Sequence, residues 1–223
     1  MKDNLERGSR IVFWLKVDFV LLLLLSIIMA IFINLFGIKE NIDPETLMAL
    51  DILGISLILF FICIVFSLLI TLIISFIYWI KWLYRAIENV NGYSKTIFSP
   101  LLSVLLSVIP GLGFIFHFFI LNDLVRKTEL WLRNQKIRVF KMKHFFINSW
   151  FILMILNVVL DQFLEMEVFK FVLGLTTLAL YIAILSKYIQ YESKLSKASR
   201  EDEIRKQVEA VLEEREKEVQ EKE

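Results

Sequence analysis

Little in this chain would interrupt a helix. Three prolines and seven glycines are spread over 223 residues, which favours long helices over a turn-rich fold. No block alternates polar and apolar residues as a membrane β-barrel strand does. The single cysteine, Cys63, lies in an apolar block, so an intrachain disulfide and a cysteine-based zinc site are both excluded. The two histidines, His117 and His144, are far apart in sequence. There is no glycine-rich phosphate loop, no HExxH, no GxSxG and no pair of carboxylates within an apolar block. The interiors of those blocks carry no Asp, Glu, Lys or Arg except near their ends. Ion-coupled transporters and proton pumps bury such groups, so an energised transporter is disfavoured. The missing motifs argue against an enzyme, and no catalytic, cofactor or metal residues are expected.

Apolar residues are what the chain has in abundance. They make up 57% of it, 20 of them Phe, and the mean hydropathy is +0.66. A soluble domain of this length could not hide so much apolar surface, so lipid is the expected solvent. Phe19–Ile38 is charge-free and long enough to cross the hydrocarbon core, as an uncleaved signal-anchor. Asp43-Pro44 and Glu45 suit a helix start. The block that follows, 52–80, exceeds the bilayer core and should tilt. Cys63, Ser67, Thr71 and Ser75 recur along it every four residues, as a helix-packing face or one wall of a polar path.

Tyr78, Trp79, Trp82 and Tyr84, with Lys81 and Arg85, form an interfacial collar, and Asn91-Gly92 should stop the helix. The octet Trp82-Leu83-Tyr84-Arg85-Ala86-Ile87-Glu88-Asn89, then Ser99-Pro100 and Ile109-Pro110, resemble a family of small bacterial multi-pass membrane proteins known only as a domain of unknown function. The resemblance covers residues 75–125. Three residues after the Ile-Pro step, where that family usually has Asn, this chain has Gly113. It implies a helical domain of the bacterial inner membrane and no known activity.

The next block, 98–122, is free of formal charge and cut by Pro110-Gly111-Leu112-Gly113. Ser99 can cap a helix that opens on Pro100. Each half is shorter than half a bilayer. The block is therefore either a kinked fifth span or a re-entrant hairpin. Charge favours the hairpin. Arg126, Lys127, Arg133, Lys136, Arg138, Lys141 and Lys143 follow the block, and a fifth span would separate these seven cations from those of the N-terminus and collar. A hairpin puts all of them on the cytoplasmic side and the acidic segments near 39–51 and 161–167 outside. Its bend would need shielding from lipid. His117, one turn into the second half-helix, would either bond a neighbour or mark a filter. Ser99, Ser103 and Ser107 make a stripe on the first half.

Residues 123–144 read as a basic amphipathic interfacial segment with Trp131 as anchor, contacting anionic headgroups rather than nucleic acid. Apolar runs within 145–162 and 168–188 make a last pair of spans, with Asn148 and Asn157 bonding between helices and Ala179 and Ala183 as a small-residue pair. Ser199 and Asp202 resemble a capping box opening a charged cytoplasmic helix, 199–223, with a short stripe of Ile204, Val208, Val211 and Leu212.

The expected architecture is all-α. A membrane domain over 1–198 holds spans at 19–38, 52–80, 145–162 and 168–188, with a hairpin at 98–122 or a kinked fifth span, and a charged helix follows. Both termini are cytoplasmic. The expected role is a non-catalytic scaffold or accessory subunit that assembles with itself or a membrane partner. The alternative is a small oligomeric pore with the hairpin as gate or filter, drawing on Ser67, Thr71, Ser75, Ser103, Ser107, Pro110, Gly111, Gly113 and His117.

Overall fold

A computed structural model of the chain describes residues 4–37, 44–137, 142, 144–163 and 167–220, with side chains at 4–31, 54–137, 142, 144–160 and 168–212. It is helical throughout, with six α-helices among those residues. They are α1 (Leu5–Gly37), α2 (Pro44–Asn91), α3 (Pro100–Val108), α4 (Gly113–Asn134), α5 (His144–Phe163) and α6 (Glu167–Gln220). Three contain stretches long and apolar enough to cross a membrane, Leu5–Ile31, Gly54–Asn91 and Val168–Leu212; the apolar part of α5, His144–Leu160, is shorter. Of the most apolar window of α2, only 11% is buried within the protein. Side chains such as Leu59, Phe66 and Ile73 stand exposed around it, which a membrane solvent explains and water does not.

The helices start and stop where local chemistry requires. Pro44 opens α2, and Asn91 ends it before Gly92. The Ser99 side chain accepts the Leu102 N–H at 3.3 Å, with Pro100 in the first helical position. Two boundaries differ from the sequence reading. α1 begins at Leu5 rather than near Phe19, because Ile11, Val12 and Leu15 give the mixed N-terminal segment a face that packs in the core. α6 runs unbroken for 54 residues, about 80 Å, through the position where Ser199 was expected to cap a new helix. Ser199 therefore caps nothing.

α1 packs antiparallel on α2 and also touches α6, while α5 and α6 form an antiparallel pair. Gly8 brings α1 close to α6, since a Cβ there would lie 2.8 Å from Ile189. α3 and α4 fold back on each other and wedge against α2, α5 and α6. Their outer ends meet, with the Ile97 N–H donating to Asp123 at 3.0 Å and Lys127 Nζ donating to the Lys95 carbonyl. The core follows from this packing. Trp82, Leu83, Ala86, Ile87 and Val90 of α2 interdigitate with Leu121, Leu124, Val125 and Leu132 of α4 and with Ile184, Leu185, Tyr188 and Leu195 of α6.

Candidate functional site: a buried polar layer at one end of the bundle

Within that core lies a layer of polar side chains from α2, α4 and α6 and from Asn4 at the start of α1. Glu192 of α6 is buried and accepts on both oxygens, from Asn4 Nδ2 at 2.9 Å and from Trp82 Nε1 at 3.1 Å. Asn4 Nδ2 also reaches the Trp82 carbonyl at 3.2 Å. The start of α1, the end of α2 and the middle of α6 are thus joined through one carboxylate. A buried charge is tolerated only when paired or hydrogen-bonded. Glu129 of α4 is buried in the same way, accepting from Tyr191 Oη at 2.8 Å and from the Met142 N–H at 2.7 Å. Thr128 links Tyr93, at 3.1 Å, to Tyr188, at 3.4 Å. Burial pushes the Tyr93 phenol above its ordinary value, and the bond to Thr128 offsets part of that rise.

A second cluster surrounds His117. Its Nε2 lies 2.8 Å from Tyr181 Oη, which accepts from Trp79 Nε1 at 2.7 Å. Trp79, Trp150 and Tyr181 enclose the imidazole, with ring centroids 5.2, 5.8 and 5.6 Å away. The other nitrogen, Nδ1, is buried with no hydrogen-bond partner. Further along α1, Asp18 is buried and accepts from Ser75 Oγ at 2.5 Å.

The stripe on α2 divides. Thr71 and Ser75 are buried, while Ser67 and Cys63 face outward, Ser67 bonding the Cys63 carbonyl at 2.8 Å. Thr71 bonds the Leu68 carbonyl at 3.0 Å. Ser103 is buried between the hairpin arms, and Ser107 Oγ is buried without a partner. Pro110 and Gly111 form an exposed tip, with Gly111 at φ +76°, so a single copy of the chain does not itself supply the shielding that a re-entrant bend requires. Gly113 is buried where a Cβ would meet the Ser107 carbonyl oxygen at 2.3 Å. Asn157 bonds Thr177 across α5 and α6 at 2.8 Å, whereas Asn148, Ala179 and Ala183 face outward.

The basic segment does not stand apart from the hairpin. α4 carries the second arm straight on to Asn134, and Ile120, Leu121, Leu124, Val125, Thr128 and Leu132 bury one face in the bundle. Arg126, Arg133 and Lys136 point outward, and Lys127 is held by Asp123 at 3.0 Å. Trp131 packs on Tyr93, ring centroids 5.2 Å apart, and walls a cleft of about 560 Å³ between α2, α4 and α6. Arg138, Lys141 and Lys143 lie outside the described residues.

The sequence reading missed Asn4, Asp18, Glu129, Glu192 and Tyr181. Two of them leave a trace. Glu192 falls on the stripe Ile184, Leu185, Tyr188, Tyr191, Leu195, and Glu129 falls on the buried stripe of α4. A carboxylate on an otherwise apolar stripe was a signal for a buried partner. Chemically, the arrangement holds helices together. Both glutamates are engaged by donors inside the bundle, and no group of three or more potential metal ligands occurs among the described residues. Comparisons with protein-family models, with curated proteins and with solved structures give no match to this chain.

Proposed function

We propose that this protein is a non-catalytic integral membrane protein, a scaffold or accessory subunit with four spans and a re-entrant α3–α4 hairpin, both termini in the cytoplasm. The observation that carries the reading is the fate of the buried polar groups. The carboxylates of Glu192 and Glu129 are engaged by Asn4 Nδ2, Trp82 Nε1 and Tyr191 Oη from other helices, while Asn4 Oδ1 is buried without a partner. A substrate or ion path would leave such groups facing a cavity. The octet Trp82–Asn89, which carries the resemblance to an uncharacterised membrane family, contributes Trp82, Leu83, Ala86, Ile87 and Asn89 to the buried interior. That supports reading it as a signature of fold rather than of a reaction.

α6 supports an assembly role. Its last buried core residue is Leu195, and the helix continues to Gln220, roughly 35 Å farther. Ile204, Val208, Val211 and Leu212 stand exposed on that extension. Such a stripe suits docking to a sister subunit or a membrane partner protein. On the same side, Arg126, Arg133 and Lys136 face anionic headgroups. The test is the association state of the full chain in lipid nanodiscs or mild detergent. Ile204→Glu with Val208→Glu should lower the assembled fraction without changing helix content. An unchanged assembly would sink the scaffold reading.

The pore reading keeps one specific support, the buried polar atoms without a partner: Ser107 Oγ and His117 Nδ1 of the hairpin arms, with Asn4 Oδ1 and Asp18 Oδ1 elsewhere in the bundle. Planar-bilayer recording separates the two. Conductance that changes selectivity in His117→Ala would establish the pore.

A further inference from the structure

Outside the buried layer, α1, α2 and α3 enclose an open groove of about 590 Å³. Four cations line it, Arg7 and Arg10 from α1 and Lys81 and Arg85 from α2. Two carboxylates answer them. Glu6 pairs with Arg10, and Glu88 pairs with Arg85. Four cations less two carboxylates leave two positive charges uncompensated, and among the described residues Arg7 and Lys81 have no ion-pair partner. Arg10 is held in place. It donates to Tyr78 Oη at 2.9 Å and its guanidinium lies over the Tyr78 ring, 5.7 Å from the centroid. The groove therefore holds one guanidinium fixed by Tyr78 and Glu6, with the unpaired Arg7 and Lys81 beside it.

The other wall is apolar. Ile80, Leu101 and Val104, with Tyr84, complete the lining, and exposed Ile73 and Ile77 of α2 and Leu105 of α3 continue from it. Guanidinium forks and ammonium groups match the oxygens of a phosphate. A free inorganic anion would gain nothing from the adjoining hydrocarbon surface, whereas acyl chains would cover it. We propose that the groove binds the phosphodiester of an anionic phospholipid, with its acyl chains lying along α2 and α3. The proposal rests on the reading above that this end of the bundle lies at the headgroups.

Native mass spectrometry of the detergent-purified full chain tests it, with phosphatidylglycerol, phosphatidylcholine or inorganic phosphate added in turn. The wild-type chain should retain one phosphatidylglycerol in roughly tenfold preference to phosphatidylcholine. Arg7→Gln with Lys81→Gln should abolish that preference. Tyr78→Phe, which frees Arg10, should weaken it. Lys197→Gln with Arg200→Gln removes equal charge from exposed positions of α6 and should leave it intact. Equal loss in the two double variants would overturn the site, as would absence of preference in the wild type. Displacement of the lipid by an equal concentration of inorganic phosphate would overturn its assignment to lipid. The Ile204 and Val208 variants do not touch this groove, so failure here leaves the assembly reading standing, and the reverse also holds.

Discussion

At the residue scale, Glu192 is the side chain on which most depends. Both of its oxygens accept N–H groups from distant parts of the chain, one from Asn4 and one from Trp82. Glu192→Gln keeps the shape but turns one acceptor into a donor, which then faces another donor. Leaving one buried N–H unsatisfied costs about 1–3 kcal/mol. Trp82→Phe removes one of those donors and leaves the ring position filled. Each variant should therefore lower the thermal midpoint measured in detergent. The double variant should cost less than the sum of the two, by about 0.5–3 kcal/mol, because the groups share one interaction. Strict additivity would mean that the hydrogen bond contributes nothing. No local pattern in the sequence links these partners. Asn4 and Glu192 are 188 positions apart, and only the antiparallel packing of α1 on α6 brings them together. By contrast, Ser99-Pro100 was legible as a helix start, because the cap and the first turn lie within three residues of each other.

At the element scale, the α3–α4 hairpin turns on two glycines with different duties. Gly111 has φ +76° in open space, so a methyl group there meets only the backbone penalty, about 1 kcal/mol. Gly113 has no room, since its Cβ would fall 2.3 Å from the Ser107 carbonyl oxygen. Gly113→Ala must therefore spread the arms and disturb the contact of Phe118 with Phe151, whose rings stack at 4.2 Å. Thermal melts should show a small loss for Gly111→Ala and a loss several times larger for Gly113→Ala. Equal losses would mean that the turn is not close-packed. The break itself was legible from Pro110-Gly111-Leu112-Gly113 alone. The length of the second arm was not. Nothing between Phe114 and Asn134 stops a helix, and the arrival of charge at Asp123 marks a change of surroundings rather than of secondary structure. The buried face of α4 shows the same limit: its spacing announced an amphipathic helix, but whether the apolar side met lipid or protein depended on α2 and α6.

At the scale of the whole molecule, the hairpin's position along α2 sets the expected topology. Its arms lie beside the last turns of α2, from Tyr78 to Asn91, and the turn that follows: Leu101 and Val104 share a groove with Tyr78 and Lys81, His117 packs on Trp79, and Trp131 packs on Tyr93. The apolar part of α2 continues back from Trp79 to Gly54, about 35 Å farther. A kinked span would run along that whole length, whereas this hairpin stays at one end, with its two outer ends tied together by Ile97–Asp123 and Lys95–Lys127. Under the proposed topology Lys95, Arg126 and Lys136 share a side with Arg7 and Arg10, the arrangement that the positive-inside rule favours for the cytoplasmic face. In a Cys63→Ser background, single cysteines should follow this division. Lys95→Cys, Lys136→Cys and Lys206→Cys should react with a membrane-impermeant maleimide only when the cytoplasmic face is exposed, as in inverted vesicles. Lys170→Cys, in the first turn of α6, should react only in right-side-out vesicles. Labelling of Lys136→Cys on the side opposite to Lys95→Cys would make α3 and α4 together a single kinked span. It would also carry the basic face of α4 to the outer surface, and with it the reading of that face as an anionic-lipid contact would fall.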